Sequence, residues 1–166
     1  MQLRQLQVSN DGIQDRLILR IGTQANEEFR VYFTRRFLRE IWPHLTAMLA
    51  GHLAAAPNTS FPPSHTGEPA NFDHPFKEDD VTYPLGATPL LASEAIIEPT
   101  SEGTARLILR EGRERSFNIN LNAEVLQALC AMFRAANEQA GWDLTLAYDS
   151  PPPISQVLPS GKTLLH

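Results

Sequence analysis

At 166 residues and 42% hydrophobic content, the chain has the size of one domain, or of two small halves that share a core. Charged residues make up 20% and net −5, so bulk electrostatics do not draw it toward nucleic acid or an anionic membrane. A single cysteine, Cys130, rules out an intrachain disulfide, and the start Met1-Gln2-Leu3-Arg4-Gln5 lacks the apolar run of a signal peptide; together these point to the cytoplasm.

The first predicted strand covers Leu3 to Val8, and Ser9-Asn10-Asp11-Gly12 supplies turn chemistry after it. A second strand runs from about Ile13 to Ile21, Gly22 to Asn26 forms the next turn, and a third strand covers Glu28 to Phe33. Thr34 is placed to accept a hydrogen bond from an early helical N–H. Beyond it Phe37, Leu38, Ile41, Leu45, Met48 and Leu49 recur at the three- and four-residue spacing of one helix face. Pro43 interrupts the hydrogen-bond ladder, but the stripe persists on both sides, so one bent helix is expected. Residues 1–55 are thus a βββα unit.

Residues 56–92 follow with the Pro-, Ser-, Thr- and acid-rich composition of a linker, one lysine standing against five acids. Phe61, Phe72, Phe76, Tyr83, Leu85, Leu90 and Leu91 are too many large apolar groups for a solvated tether, so the part from about Val81 is expected to lie extended against the fold.

The second unit, residues 93–148, repeats the plan. Ala95 to Glu98 reads as its first strand, Thr104 to Arg110 as its second and Ser116 to Leu121 as its third. Asn122 caps a helix with Val125, Leu126, Leu129, Phe133 and Ala136 on one face, and Gly141 supplies its left-handed end. Cys130 falls among the apolar positions, which makes it a small buried hydrophobe and not a nucleophile. Leu144 and Leu146 alternate through Tyr148 and predict one more strand. The tail, residues 149–166, opens with the stiff Pro151-Pro152-Pro153, and its stretch Val157 to Leu165 has the character of a docking segment, for its own domain or for another protein.

The pentapeptide Arg16-Leu17-Ile18-Leu19-Arg20 recurs unchanged as Arg106-Leu107-Ile108-Leu109-Arg110. The order around both copies is the same, so the chain reads as an internal duplication. The expected fold is α+β, with antiparallel sheet, both helices on one face and a pseudo-two-fold relating the units.

Familiar catalytic and metal patterns are missing. Ser160-Gly161-Lys162-Thr163 imitates the end of a P-loop, but Gln156 stands where the first glycine belongs and no helix can follow. His44 and His52 are eight apart with no carboxylate or His at i+4 between them, and both read as partly exposed helix histidines. His65 and His74 near Asp73, Glu78, Asp79 and Asp80 read as a solvated acidic loop. No cofactor and no metal is expected, and Glu40, Glu124 and Glu138 read as surface carboxylates.

Strand parity gives the candidate site. If Leu17, Leu19, Phe29, Val31 and Phe33 face the helices, then Arg16, Ile18, Arg20, Arg30 and Tyr32 share the opposite face. In the second unit Arg106, Ile108, Arg110, Asn118 and Asn120 do the same. Aliphatics at equivalent outward positions favour a sheet surface buried against a second copy. Arg with a Tyr and Asn on one face suits single-stranded nucleic acid as the alternative. In their duplicated strands-then-helix order, residues 3–147 resemble the Pur-repeat and Whirly-type single-strand binders, although those families usually have four strands per unit where this chain shows three. The expectation is therefore a non-enzymatic cytoplasmic binding or assembly protein. It self-associates as a homo-oligomer through the outer sheet face or an edge strand, and single-stranded DNA or RNA is the alternative partner.

Overall fold

Alternating apolar residues produce the strands Leu3–Asp11 (β1), Arg16–Thr23 (β2) and Glu28–Phe33 (β3), and the three- and four-residue stripe produces the helix Arg35–Ala54 (α1). The computed structural model describes residues 2–54, 80–100, 104–147 and 163–165. The elements after α1 are Leu90–Leu91 (β4), Glu94–Pro99 (β5), Ala105–Glu111 (β6), Arg115–Leu121 (β7), Ala123–Ala140 (α2) and Thr163–Leu165 (β8). They form an α+β architecture of two four-stranded sheets, ordered β1-β2-β3-β4 and β7-β6-β5-β8, with two helices.

Each copy of the repeated pentapeptide occupies a central strand. Leu19 of β2 is flanked by Val8 and Val31, and Leu109 of β6 by Ala95 and Phe117, all in antiparallel register. Leu17, Leu19, Leu107 and Leu109 are all buried, as parity demands. Around them Phe33 packs its ring 5.4 Å from Phe37 of α1 and 4.8 Å from Phe133 of α2, while α2 lies across β1. Phe29 and Phe117 approach to 4.9 Å and bring the inner faces of the two sheets together, so one core serves both.

Residues 90–99 are the joint. β4 runs parallel to β3, with Leu90 opposite Val31 and the Ala92 N–H donating to the Tyr32 carbonyl at 3.0 Å. The next N–H, that of Ser93, donates to the Arg110 carbonyl at 2.8 Å, although Glu94 is the register partner of Arg110. Two residues opposite one make a bulge, which kinks the strand and keeps both neighbouring side chains out of the core. Past the bulge, the edge that served β3 is taken by β8: Ala95 pairs with Leu165 and Ile97 with Thr163.

Both helix starts are capped as their sequences require, Thr34 Oγ1 accepting from the Phe37 N–H at 3.1 Å and Asn122 Oδ1 from the Val125 N–H at 2.8 Å. Gly141 ends α2 at φ 65°, where a side chain would be strained. α1 is a single helix through Pro43. The Thr46 hydroxyl donates to the carbonyls of Trp42 and Pro43 within that turn.

Three expectations need revision. The first hairpin turn covers residues 12–15 and not 9–12: β1 runs on to Asp11 and β2 starts at Arg16, not Ile13. The Asp11 carboxylate accepts the N–H groups of Ile13 and Gln14 and holds the turn there, leaving Ile13 98% exposed. No strand forms over residues 143–147. The Asn137 amide binds the Leu144 carbonyl and the Trp42 indole the Ala147 carbonyl, so side chains, not a neighbouring strand, satisfy this backbone. His44 is buried, in the same stretch of α1 as the buried Ile41, Trp42 and Leu45, so the helix is inserted here on more than one face. Beyond Val81, Thr82 forms a parallel bridge with Glu27 beside β3. Phe61, Phe72, Phe76, the side chain of His52, His65, His74, Asp73, Glu78, Asp79, the triple proline and the Ser160–Lys162 stretch fall outside what the structure describes.

Candidate interaction face

Register places the outward residues in rows. In the first sheet one row reads Ser9, Ile18, Tyr32, Leu91, and the next reads Gln7, Arg20, Arg30. In the second sheet, across β5, β6 and β7, the rows are Glu98-Arg106-Asn120, Ile96-Ile108-Asn118 and Glu94-Arg110-Ser116. The ten residues singled out by parity therefore fall into two groups, five on each sheet.

The arginines of the first group are occupied within the chain. Arg20 donates through Nε and Nη2 to the two carboxylate oxygens of Glu28 at 2.7 and 3.2 Å, the planar fork matching the carboxylate. Glu28 is only 2% exposed against 24% for Arg20. Arg30 lies 4.4 Å from the ring centroid of Tyr83 and donates to the Ala87 carbonyl. Arg16 stands 5.4 Å over the Tyr32 ring, whose phenol donates to Asp11 Oδ2 at 3.1 Å. Burial first, and the bond to Asp11 second, push that phenol above its ordinary value of 10.0, while Arg16 and Arg30 pull the other way.

The second group is open. Arg106, Arg110, Asn118 and Asn120 are exposed, and Ile108 is half-buried beside Ile96. Each arginine sits directly opposite a glutamate, Arg106 across from Glu98 and Arg110 across from Glu94, so the face carries alternating charge and not a positive stripe.

A strap of residues 85–91 flanks this second sheet. Arg115, at the start of β7, donates to the carbonyls of Leu85 at 3.0 Å, Thr88 at 2.7 Å and Pro89 at 3.2 Å, and pairs with Glu111. Glu111 in turn accepts the Leu91 N–H at 3.0 Å. That N–H, with help from Arg115, holds the Glu111 carboxyl below its ordinary value against the opposing push of burial.

Glu28, Asp11, Tyr83 and the Glu111–Arg115 clasp escaped the sequence reading. The parity of Glu28 with Arg30 and Tyr32 was the one available signal; the partnership with Arg20 depends on hairpin register. Among the described residues no three His, Cys, Asp or Glu side chains gather in one place, and no helix is long and apolar enough to cross a membrane. The buried Cys130 thiol is pushed up to about 12 by loss of solvent. Compared with known protein families, curated proteins and solved structures, the chain matches none.

Proposed function

We propose that this is a non-enzymatic cytoplasmic binding or assembly protein that self-associates through the outer sheet face or an edge strand. The observation that carries the reading is the set of half-buried aliphatics in the central outward rows, Ile18 and Leu91 on either side of Tyr32 in one sheet and Ile96 beside Ile108 in the other. Solvent has no use for aliphatics at matched outward positions, whereas a sheet surface meeting a second copy does. The internal pairing of Arg16, Arg20 and Arg30 supports the same reading, since these groups are not waiting for a charged ligand. With the outer face as the contact, Ile18→Glu combined with Ile108→Glu yields a folded monomer in sedimentation velocity; an unchanged mass excludes the face and leaves an edge strand, and a wild-type chain that is monomeric overturns the reading.

Single-stranded nucleic acid is the second reading, favoured by the exposed Arg106 and Arg110 next to Asn118 and Asn120. The facing Glu94 and Glu98 weaken it. Fluorescence anisotropy with short DNA and RNA oligomers tests it, and absence of binding at low salt ends it.

The same reading includes an internal duplication of βββα units. Its support is that both pentapeptides form central strands with two antiparallel neighbours, each pair followed by a capped helix. The parallel pairing of β3 with the strand leading into β5 supports a head-to-tail relation between the units in place of a pseudo-two-fold.

A further inference from the structure

We infer that the self-association surface is the free edge of β7, paired antiparallel with β7 of a second copy about a two-fold axis at Asn118. This rests on the assembly reading and gives it a partner and a geometry.

The backbone phase of the second sheet follows from one contact. The Thr100 N–H donates to the Thr104 carbonyl, so within β5–β6 the even-numbered partners exchange hydrogen bonds and Ala105, Leu107, Leu109 and Glu111 turn their backbone groups to β7. Their partners there are Leu121, Ile119, Phe117 and Arg115. Ser116, Asn118 and Asn120 therefore direct both N–H and C=O away from the sheet, and all three are exposed. An exposed edge of this kind is a template for another strand.

The other edges are managed. β1 has a register irregularity between Leu3 and Gln5 and α2 packed across it. The outer edge of β3 is occupied by Thr82 and then by β4, and that of β5 by β8, itself only three residues long. Among the described residues, no other segment pairs with the outer edge of β7. Its register is regular over seven residues, and Ser116–Leu121 contains neither proline nor charge. The charge at its start, Arg115, is drawn to the strap and to Glu111.

A second copy is the occupant that this edge fits. A two-fold at Asn118 sets Asn118 opposite the partner's Asn118 and Ser116 opposite the partner's Asn120, with reciprocal N–H to C=O bonds at each position. Within residues 116–120 every facing pair is uncharged, and Arg115 falls opposite the partner's Leu121, so no like charges meet. The half-buried row Ile96-Ile108-Asn118 would continue unbroken into its counterpart, giving one sheet across the dimer.

Position 118 is its own neighbour across the axis, which provides a decisive test with the full chain. Asn118→Lys and Asn118→Glu each place like charges face to face and are expected to weaken dimerisation at least tenfold in sedimentation equilibrium. Mixed one to one, they are expected to recover a heterodimer of twice the chain mass. Asn118→Pro, which removes an N–H that its own sheet does not use, should be monomeric with an unchanged circular dichroism spectrum. If the wild-type chain is dimeric and neither charged variant changes its mass, the β7 edge is wrong while assembly stands. If the charged variants dissociate but their mixture does not reassociate, the two-fold at Asn118 is wrong. A wild-type chain that is monomeric at all concentrations overturns both readings.

Discussion

Removing either half of the Arg20–Glu28 pair should destabilise the fold unequally, with the arginine the more costly loss. Glu28 is 2% exposed and takes both carboxylate bonds from Arg20, so Arg20→Met strands a carboxylate away from water. Breaking a buried pair in this way costs about 3–5 kcal/mol, and the 24% exposure of Arg20 places this case near the lower figure. Glu28→Gln removes the charge but keeps an oxygen for a guanidinium that already reaches solvent, a loss of about 1 kcal/mol. For a chain of this length, about 3 kcal/mol corresponds to a fall in Tm of about 6–12 °C, against about 2–4 °C for the glutamine. Urea unfolding followed by tryptophan fluorescence at neutral pH measures both. The double change Arg20→Met with Glu28→Leu should recover most of the deficit, since no buried charge remains. Equal losses in the two single variants, or a larger loss for Glu28→Gln, would refute the argument that burial of the carboxylate controls the cost.

The strap should respond to acid through Glu111. Its folded value is depressed, so the stability it contributes is present above its ordinary 4.5 and is lost as pH falls through the lower folded value. Hydrogen exchange at the Leu91 amide, corrected for intrinsic rate, is expected to accelerate only as pH falls below that ordinary 4.5. Glu111→Gln should abolish that dependence, and constant protection from pH 6 to pH 3 would contradict it. Cys130 should resist thiol reagents in the native protein, because a thiol at about 12 and fully buried offers almost no thiolate. Labelling in native buffer should therefore track unfolding in a urea series, and rapid stoichiometric modification would count against the packing described. Asn122→Ala should cost about 1 kcal/mol by freeing the Val125 N–H, while Asn122→Asp should retain stability, both read from urea midpoints.

The sequence alone determined the local elements. The helix of Phe37, Leu38 and Ile41, the caps at Thr34 and Asn122, the left-handed Gly141 and the inward leucines of the repeat follow from periodicity and backbone sterics within a few residues. It also determined which side of each strand is outward, because alternation leaves no choice once one face is buried. Tertiary structure decided which outward groups are available. Arg20 and Arg110 occupy identical positions in identical pentapeptides. One is committed to a buried carboxylate because hairpin register brings Glu28 beside it, while the other stays exposed opposite Glu94. The Ser93 bulge, the strap held by Arg115 and the open edge of β7 are likewise products of pairing between distant segments. No pattern within a strand encodes which distant segment will satisfy its backbone, so the repeat specifies the core while the fold selects the face.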